Sequence, residues 1–149
     1  MDSVSKEARS RNMSAIRSKN TKPELIIRRG LHAIGFRFRL HKKELTGKPD
    51  IYLPKYKTVV FIHGCFWHQH ENCKNAIIPK TNSEFWEIKL NGNVMRDIDN
   101  INKLNDDGFN VIVVWECTVK KHLKDKTIPQ LIEIIKRIII SEEHGVSEV

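Results

Sequence analysis

Residues 63 to 73 read HGCFWHQHENC, and no other stretch limits the fold of this chain so strongly. It packs three histidines, two cysteines and the adjacent Phe66 and Trp67 into a short segment with no apolar period to bury. A segment of this kind needs something other than a hydrophobic face to hold it, and its soft donors point to a metal. Cys65, His70 and Cys73 form C-x4-H-x2-C, and Cys117 lies just past the apolar run 111–115. If a helix between two strands sets those strands side by side, their C-terminal ends meet and Cys117 joins the cluster. Three thiolates and one imidazole make a closed tetrahedral set suited to structural zinc, whereas thiolates disfavour magnesium or calcium. His63, His68 and His70 compete for the nitrogen position; His70 has the better spacing. The alternative is three unligated cysteines, two in a loop and one in a sheet. An odd cysteine count behind a polar N-terminus argues against a disulfide framework.

The rest of the pattern predicts a single α/β domain spanning residues 1–149, with a mixed sheet. Thr21 and Glu24 form a T-x-x-E capping box opening a helix with Leu25, Ile26, Leu31 and Ile34 on its apolar positions, closed at Gly35. FRFRL (36–40), PDIYL (49–53) and TVVFIH (58–63) read as successive strands, the last apolar enough to be central. Ser83 is the expected cap of a long helix running to about Asp106, with Leu90, Val94, Ile98, Ile101 and Leu104 as its buried stripe. NVIVVWE is a fourth strand, and Thr127 and Gln130 are the expected caps of a last helix. The predicted order is α-β-β-β-α-β-α, with residues 1–20 as a basic arm and 121–149 as a C-terminal helix and tail.

The net charge is +8, and the first 29 residues are rich in lysine and arginine, with Glu7 and Glu24 among the few acids. Such a balance favours a polyanion, most simply nucleic acid. No apolar run is long enough to span a membrane, and nothing resembles a secretory leader, so a cytoplasmic location is expected.

A second constellation suggests hydrolysis. Asp50 opens a strand, Glu24 lies on the first helix, and the strand at 60–63 offers oxygen ligands for magnesium, which binds few protein oxygens and keeps its waters. The usual acid-x-Lys is missing there. The main-chain carbonyl of Ile62 would replace the carboxylate, and His68, whose imidazole can accept a proton, would replace the lysine as base. Pro-Asp alone is more often a turn, and Glu24 is also explained as a capping residue. Phe66, Trp67 and Trp86 read either as core or as a wedge that unstacks base pairs; Trp115, in an apolar strand, reads as core.

RSRNMSAI, GKPDIYL, FIHGCFWHQH, EFWEIKLNGNVMRD and VIVVWEC, from about Arg9 to Cys117, together resemble the very short patch repair (Vsr) endonucleases. The resemblance implies a restriction-endonuclease-like PD-(D/E)XK fold and a magnesium-dependent enzyme that nicks 5′ of the thymine in T:G mismatches left by 5-methylcytosine deamination. It implies Asp50 as catalytic metal ligand, with Ile62, by its main-chain oxygen, where the familiar pattern has threonine. It implies His68 and His63 as active-site histidines and Glu24 as an acid acting through metal-bound water. Cys65, His70, Cys73 and Cys117 would hold structural zinc; Phe66, Trp67 and Trp86 would intercalate; Met13, Ile16, Lys89 and Asn93 would lie near the mismatch. Gln69 stands where histidine is familiar, and the stretch before Cys73 is one residue longer. A monomer is expected, linked to a cytosine methyltransferase and to mismatch-repair proteins. Two readings stay open beside it: a restriction-type endonuclease of the same fold cutting both strands, and a non-catalytic zinc module that binds DNA.

Overall fold

The computed structural model describes residues 19–141 and 143–149. The basic arm, with Met13 and Ile16, therefore lies mostly outside the described residues. Helix α1 (Lys22–Ala33) leads into a short strand β1 (Arg39–Leu40), then β2 (Ile51–Leu53) and β3 (Thr58–His63). Helix α2 (Ser83–Asp106) and strand β4 (Asn110–Trp115) follow. Helices α3 (Glu116–Lys124) and α4 (Ile128–Ile140) and strand β5 (Val146–Glu148) complete the chain.

The sheet order is β1-β2-β3-β4-β5. The first two pairings are antiparallel and the last two parallel, so the sheet is mixed and β3 is its middle strand. A parallel β3–β4 pair needs a long crossover, and α2 supplies it. Alternate residues then serve opposite layers. On one face Val60, Ile112 and Val114 pack with Ile27 and Leu31 of α1 and with Leu131, Ile132 and Ile135 of α4. On the other, Val59, Phe61, Val111, Val113 and Trp115 pack with Leu104 of α2. Every residue of β4 is buried, which is why its sequence is an unbroken apolar run. Helices α1 and α4 approach so closely that a Cβ on Gly30 would stand 2.5 Å from Cδ1 of Ile132.

Local signals act mostly where the sequence places them. Thr21 is the N-cap of α1, its Oγ1 accepting the Glu24 N–H at 3.4 Å. The return leg of the box differs: a Glu24 carboxylate oxygen accepts the N–H of Asn20 instead, at 3.1 Å. Gly35 (φ +103) and Gly108 (φ +88) turn the chain out of α1 and α2 through left-handed backbone, which glycine adopts without strain.

Several expectations are corrected. Ser83 is the first residue of α2; the cap position belongs to Asn82, in left-handed backbone and without a side-chain cap bond. Thr127 does precede α4, but its hydroxyl bonds to His122 Nδ1 at 2.8 Å, tying α3 to α4 rather than capping. The FRFRL strand shrinks to two residues. In α2, Ile98 is 51% exposed and Val94 only half-buried; the inward side is instead Leu90, Asn93, Asp97, Ile101 and Leu104. That side faces a polar site for part of its length, so an apolar stripe misplaces it. Helix α3 and strand β5 were not expected. One buries only Val119, and the other is three residues of mostly exposed backbone, so neither leaves a periodic trace.

Strand β5 nevertheless closes the free edge of β4. Val111 donates to Gly145, Val149 donates to Val113, and Trp115 donates to Val149, at 2.8–3.1 Å. Removing residues 144–149 should cost on the order of 2–4 kcal/mol, from these bonds and the packing of Val149. It should also expose a pairing edge that promotes self-association. Thermal unfolding with light scattering checks both; an unchanged melting temperature would contradict the assignment.

Candidate active site

The C-terminal ends of β3 and β4 coincide, with His63 opposite Trp115. Two residues further along each strand stand Cys65 and Cys117. The 64–73 loop folds back over this end, with His68 donating its N–H to Gly64 and His70 to Cys65. His70 Nδ1 thereby comes to 3.6 Å from Cys65 Sγ and 3.4 Å from Cys117 Sγ. The donor atoms of Cys65, His70, Cys73 and Cys117 all lie within 4.8 Å of one another. Tetrahedral zinc, with Zn–S about 2.3 Å and Zn–N about 2.05 Å, requires S···N near 3.6 Å, which this set matches. Burial pushes the Cys65 thiol up to about 12, whereas the Asn75 backbone N–H lowers that of Cys73. His70 stacks on Trp115 with ring centroids 4.1 Å apart, which fixes the imidazole plane.

Around the other side of the β3 end lies a cleft of about 180 Å³ whose lining includes Lys48, Asp50, Ile62, His63, His68 and Asp97. Gly47 (φ +76) lets the loop before Asp50 pass beneath Phe61 and Asn100, each 3.2 Å from where a Cβ would stand. Asp50 Oδ2 accepts the N–H of Ile62 at 2.7 Å. In an extended strand the N–H and C=O of one residue lie along the same edge, so the Ile62 carbonyl faces the Asp50 side too. Burial drives the Asp50 pKa up to about 6; the Ile62 N–H opposes this and the Glu24 carboxylate reinforces it. Buried carboxylate oxygens short of positive charge are a donor set that fits a hard divalent cation.

His63 and His68 stack at 3.8 Å with their planes 3° apart. Burial, aided by His68, lowers the His63 pKa to about 3, so its ring is neutral at physiological pH. His68 Nδ1 lies 2.6 Å from Asp97 Oδ2. An ionised carboxylate only accepts, so Nδ1–H is the donor in this pair and Nε2 is the nitrogen not taken up by Asp97. Glu24 lies behind Asp50 and is 1% exposed, bound by Arg28 at 2.9 Å and by His41.

The aromatic residues form a half-buried group beside the cleft. Phe66, Trp67 and Trp86 meet edge-to-face, with centroids 5.1–5.9 Å apart. Asn93 Nδ2 donates to the Trp67 carbonyl at 3.1 Å, while Lys89 is exposed on α2. Trp115 is core, as expected.

Residues 1–75 match the family model described as DNA mismatch endonuclease Vsr. The chain belongs to the Vsr family. It is 50% identical over 125 residues to the type II nicking enzyme V.NmeAIP of Neisseria meningitidis serogroup A, covering 83% of this chain and 89% of the relative. It is 46% identical over 116 residues to the type II nicking enzyme V.XorIIP of Xanthomonas oryzae, covering 78% and 85%. It is 38% identical over 130 residues to the DNA mismatch endonuclease Vsr of Escherichia coli, covering 86% and 83%. The protein is thus a DNA endonuclease, and its mixed sheet flanked by helices agrees with an α/β nuclease core.

Two residues of this Vsr site were not singled out from sequence. Asp97 falls inside a quoted motif, but nothing local says that it meets His68; its one-turn spacing from Asn93 was the available signal. His41 is a lone histidine after a two-residue strand, and only the tertiary structure brings it to Glu24. Among the described residues no helix is long and apolar enough to cross a membrane.

The raised Asp50 pKa has a consequence for stability. A carboxyl that titrates near 6 folded and 3.8 unfolded binds more protons in the folded state, so its ionisation destabilises the fold as pH rises through that window. In magnesium-free buffer Asp50→Asn should therefore stabilise the protein at pH 7 by roughly 2–3 kcal/mol. The advantage should shrink towards zero as pH falls to 4. Melting temperatures of the two proteins across that range check it; a constant gap would contradict the assignment.

Proposed function

We propose that the protein nicks one strand of duplex DNA 5′ of the thymine in a T:G mismatch, the lesion left by deamination of 5-methylcytosine. The observation that carries this reading is one cleft lined by Asp50, Ile62, His68 and Asp97 beside an aromatic group, in a Vsr-family chain. The Escherichia coli relative is named a DNA mismatch endonuclease, which supports a mispaired substrate. Magnesium held by Asp50 and the Ile62 main-chain oxygen would supply positive charge for phosphodiester hydrolysis. His68 Nε2 accepts the proton of the attacking water, while Asp97 holds Nδ1–H and steadies the imidazolium that forms. Neutral His63, stacked on His68, keeps that ring in plane. Glu24 acts on the metal side through water. Because Ile62 offers no hydroxyl, only its backbone takes part.

Phe66, Trp67 and Trp86 enter the stack at the mismatch, with unstacking costing a few kcal/mol and least at a mispair. Lys89 and Asn93, with Met13 and Ile16 of the basic arm, lie near the mismatch. Cys65, His70, Cys73 and Cys117 hold a structural zinc that fixes the loop. The enzyme acts as a monomer in the cytoplasm, on sites made by a cytosine methyltransferase and alongside mismatch-repair proteins. The names of the nicking relatives favour single-strand cutting over a restriction-type double-strand break.

A labelled duplex with a central T:G pair should be nicked on the thymine strand with magnesium, and a T:A control spared. Asp50→Ala should abolish nicking while leaving DNA binding. Equal cleavage of both duplexes, or cleavage of paired plasmid in both strands, would replace mismatch repair with restriction; binding without cleavage would leave a DNA-binding module.

Cys117→Ala should lose zinc and much of the stability of the 64–82 segment, since a structural zinc site can contribute on the order of 10 kcal/mol. Elemental analysis and thermal unfolding report this. Active wild type free of zinc would refute the clamp.

A further inference from the structure

Strand β3 lacks the acid-x-Lys of the usual pattern, yet the cleft beside it holds a lysine from another element. Lys48 lines the cleft together with Asp50, Ile62, His68 and Asp97, and among the described residues it is the only lysine or arginine that does. The chain fixes its place. Gly47 (φ +76) and Lys48 (φ +49) are consecutive left-handed residues, the Lys48 N–H donates to the Leu45 carbonyl at 3.0 Å, and buried Pro49 leads directly to Asp50. Glycine adopts that backbone freely; lysine does so against its preference, and such residues collect at functional sites. Two carboxylates share the cleft, but Lys48 pairs with neither. Asp97 Oδ2 is taken by His68 Nδ1 at 2.6 Å, and Asp50 Oδ2 by the Ile62 N–H at 2.7 Å. Among the described residues Lys42, Lys103 and Lys120 each meet a carboxylate, whereas Lys48 meets none and is exposed. An ammonium left unpaired beside two acids is suited to a third anion that enters the cleft.

We propose that Lys48 is a catalytic residue whose ammonium binds a non-bridging oxygen of the scissile phosphate and stabilises the charge that grows there. In hydrolysis the water oxygen bonds to phosphorus and His68 takes the water proton. The bond to the leaving sugar oxygen breaks, and that oxygen takes a proton from solvent. A cation already facing the non-bridging oxygens holds this transition state more tightly than the bound DNA. The work of the missing lysine is thus divided, with His68 as base and Lys48 as charge. The inference rests on the reading of the cleft as a phosphodiester-hydrolysing site.

Full-length zinc-loaded wild type, Lys48→Met and Lys48→Arg are compared on a labelled T:G duplex. Single-turnover nicking with magnesium at saturating enzyme gives the rate, and titration in magnesium-free buffer gives the affinity. Lys48→Met should nick about a hundredfold more slowly, the scale of losing one such donor. Its Kd should rise no more than about fivefold, because many phosphate contacts share the affinity, and its melting temperature should not fall. Lys48→Arg keeps the charge and should recover most of the rate. A duplex with sulfur at one non-bridging oxygen of the scissile phosphate isolates the contact: in one stereoisomer it should slow wild type more than it slows Lys48→Met. Nicking by Lys48→Met within about threefold of wild type, a loss that appears only in Kd, or equal sulfur effects in the two proteins overturns the role of Lys48 and leaves the reading of the cleft in place. Wild type that cuts no duplex overturns that reading and this proposal with it.

Discussion

The parallel pairing of β3 with β4 is the constraint from which the site hangs. Thr58 to His63 align with Asn110 to Trp115 in register, so the two strands end at the same height. Cys65 and Cys117 follow two residues past those ends. The loop after β3 turns back so that His70 stacks on Trp115 and His68 on His63, each on a ring at a strand terminus. A one-residue slip would turn every side chain of a strand to the other face and part the two cysteines. The apolar run of β4 makes such a slip costly, because all six of its residues are buried in one register.

The same burial that builds the sheet works against the charges beside it. It raises Asp50, lowers His63 and raises Cys65, pushing each towards its uncharged form. Two carboxylates, Glu24 and Asp50, stand together, with Arg28 and the His41 ring against Glu24. The protein thus holds a locally unfavourable arrangement that the surrounding core stabilises. Natural chains concentrate such conflicts where chemistry is done. A divalent cation would relieve the carboxylate conflict, and a cation among the thiols would relieve the other.

The sequence was most legible where a signal is local or periodic. TVVFIH and NVIVVW read as buried strands because period and composition agree, and Thr21 and Gly35 marked helix ends through backbone preferences acting within a few residues. The grouping of Cys117 with Cys65, His70 and Cys73 followed from the topology rule that a helix between strands makes them parallel neighbours. What escaped depends on distant partners. Asp97 and His41 are single polar residues whose meaning comes from side chains 29 and 17 positions away. Val94 and Ile98 were misplaced because the side of α2 facing the cleft is polar. Thr127 follows a cap pattern, but its hydroxyl found a stronger partner in His122.

Helix α2 also ties the aromatic residues and His68 into one loop. Asn93 and Asp97, one turn apart, hold consecutive residues of that loop: the Trp67 carbonyl and the His68 ring. Trp86, at the start of the same helix, completes the aromatic group. Any displacement of Trp67 is thus transmitted to His68 through a single peptide and through a helix gripping both sides of it. On the proposed reading, a mismatch that admits the rings leaves His68 in line with Asp50, whereas a paired step that resists them strains the bond to Asp97. On that reading discrimination would need no separate sensing domain, because the energy that separates a mispair from a pair would act directly on the placement of His68.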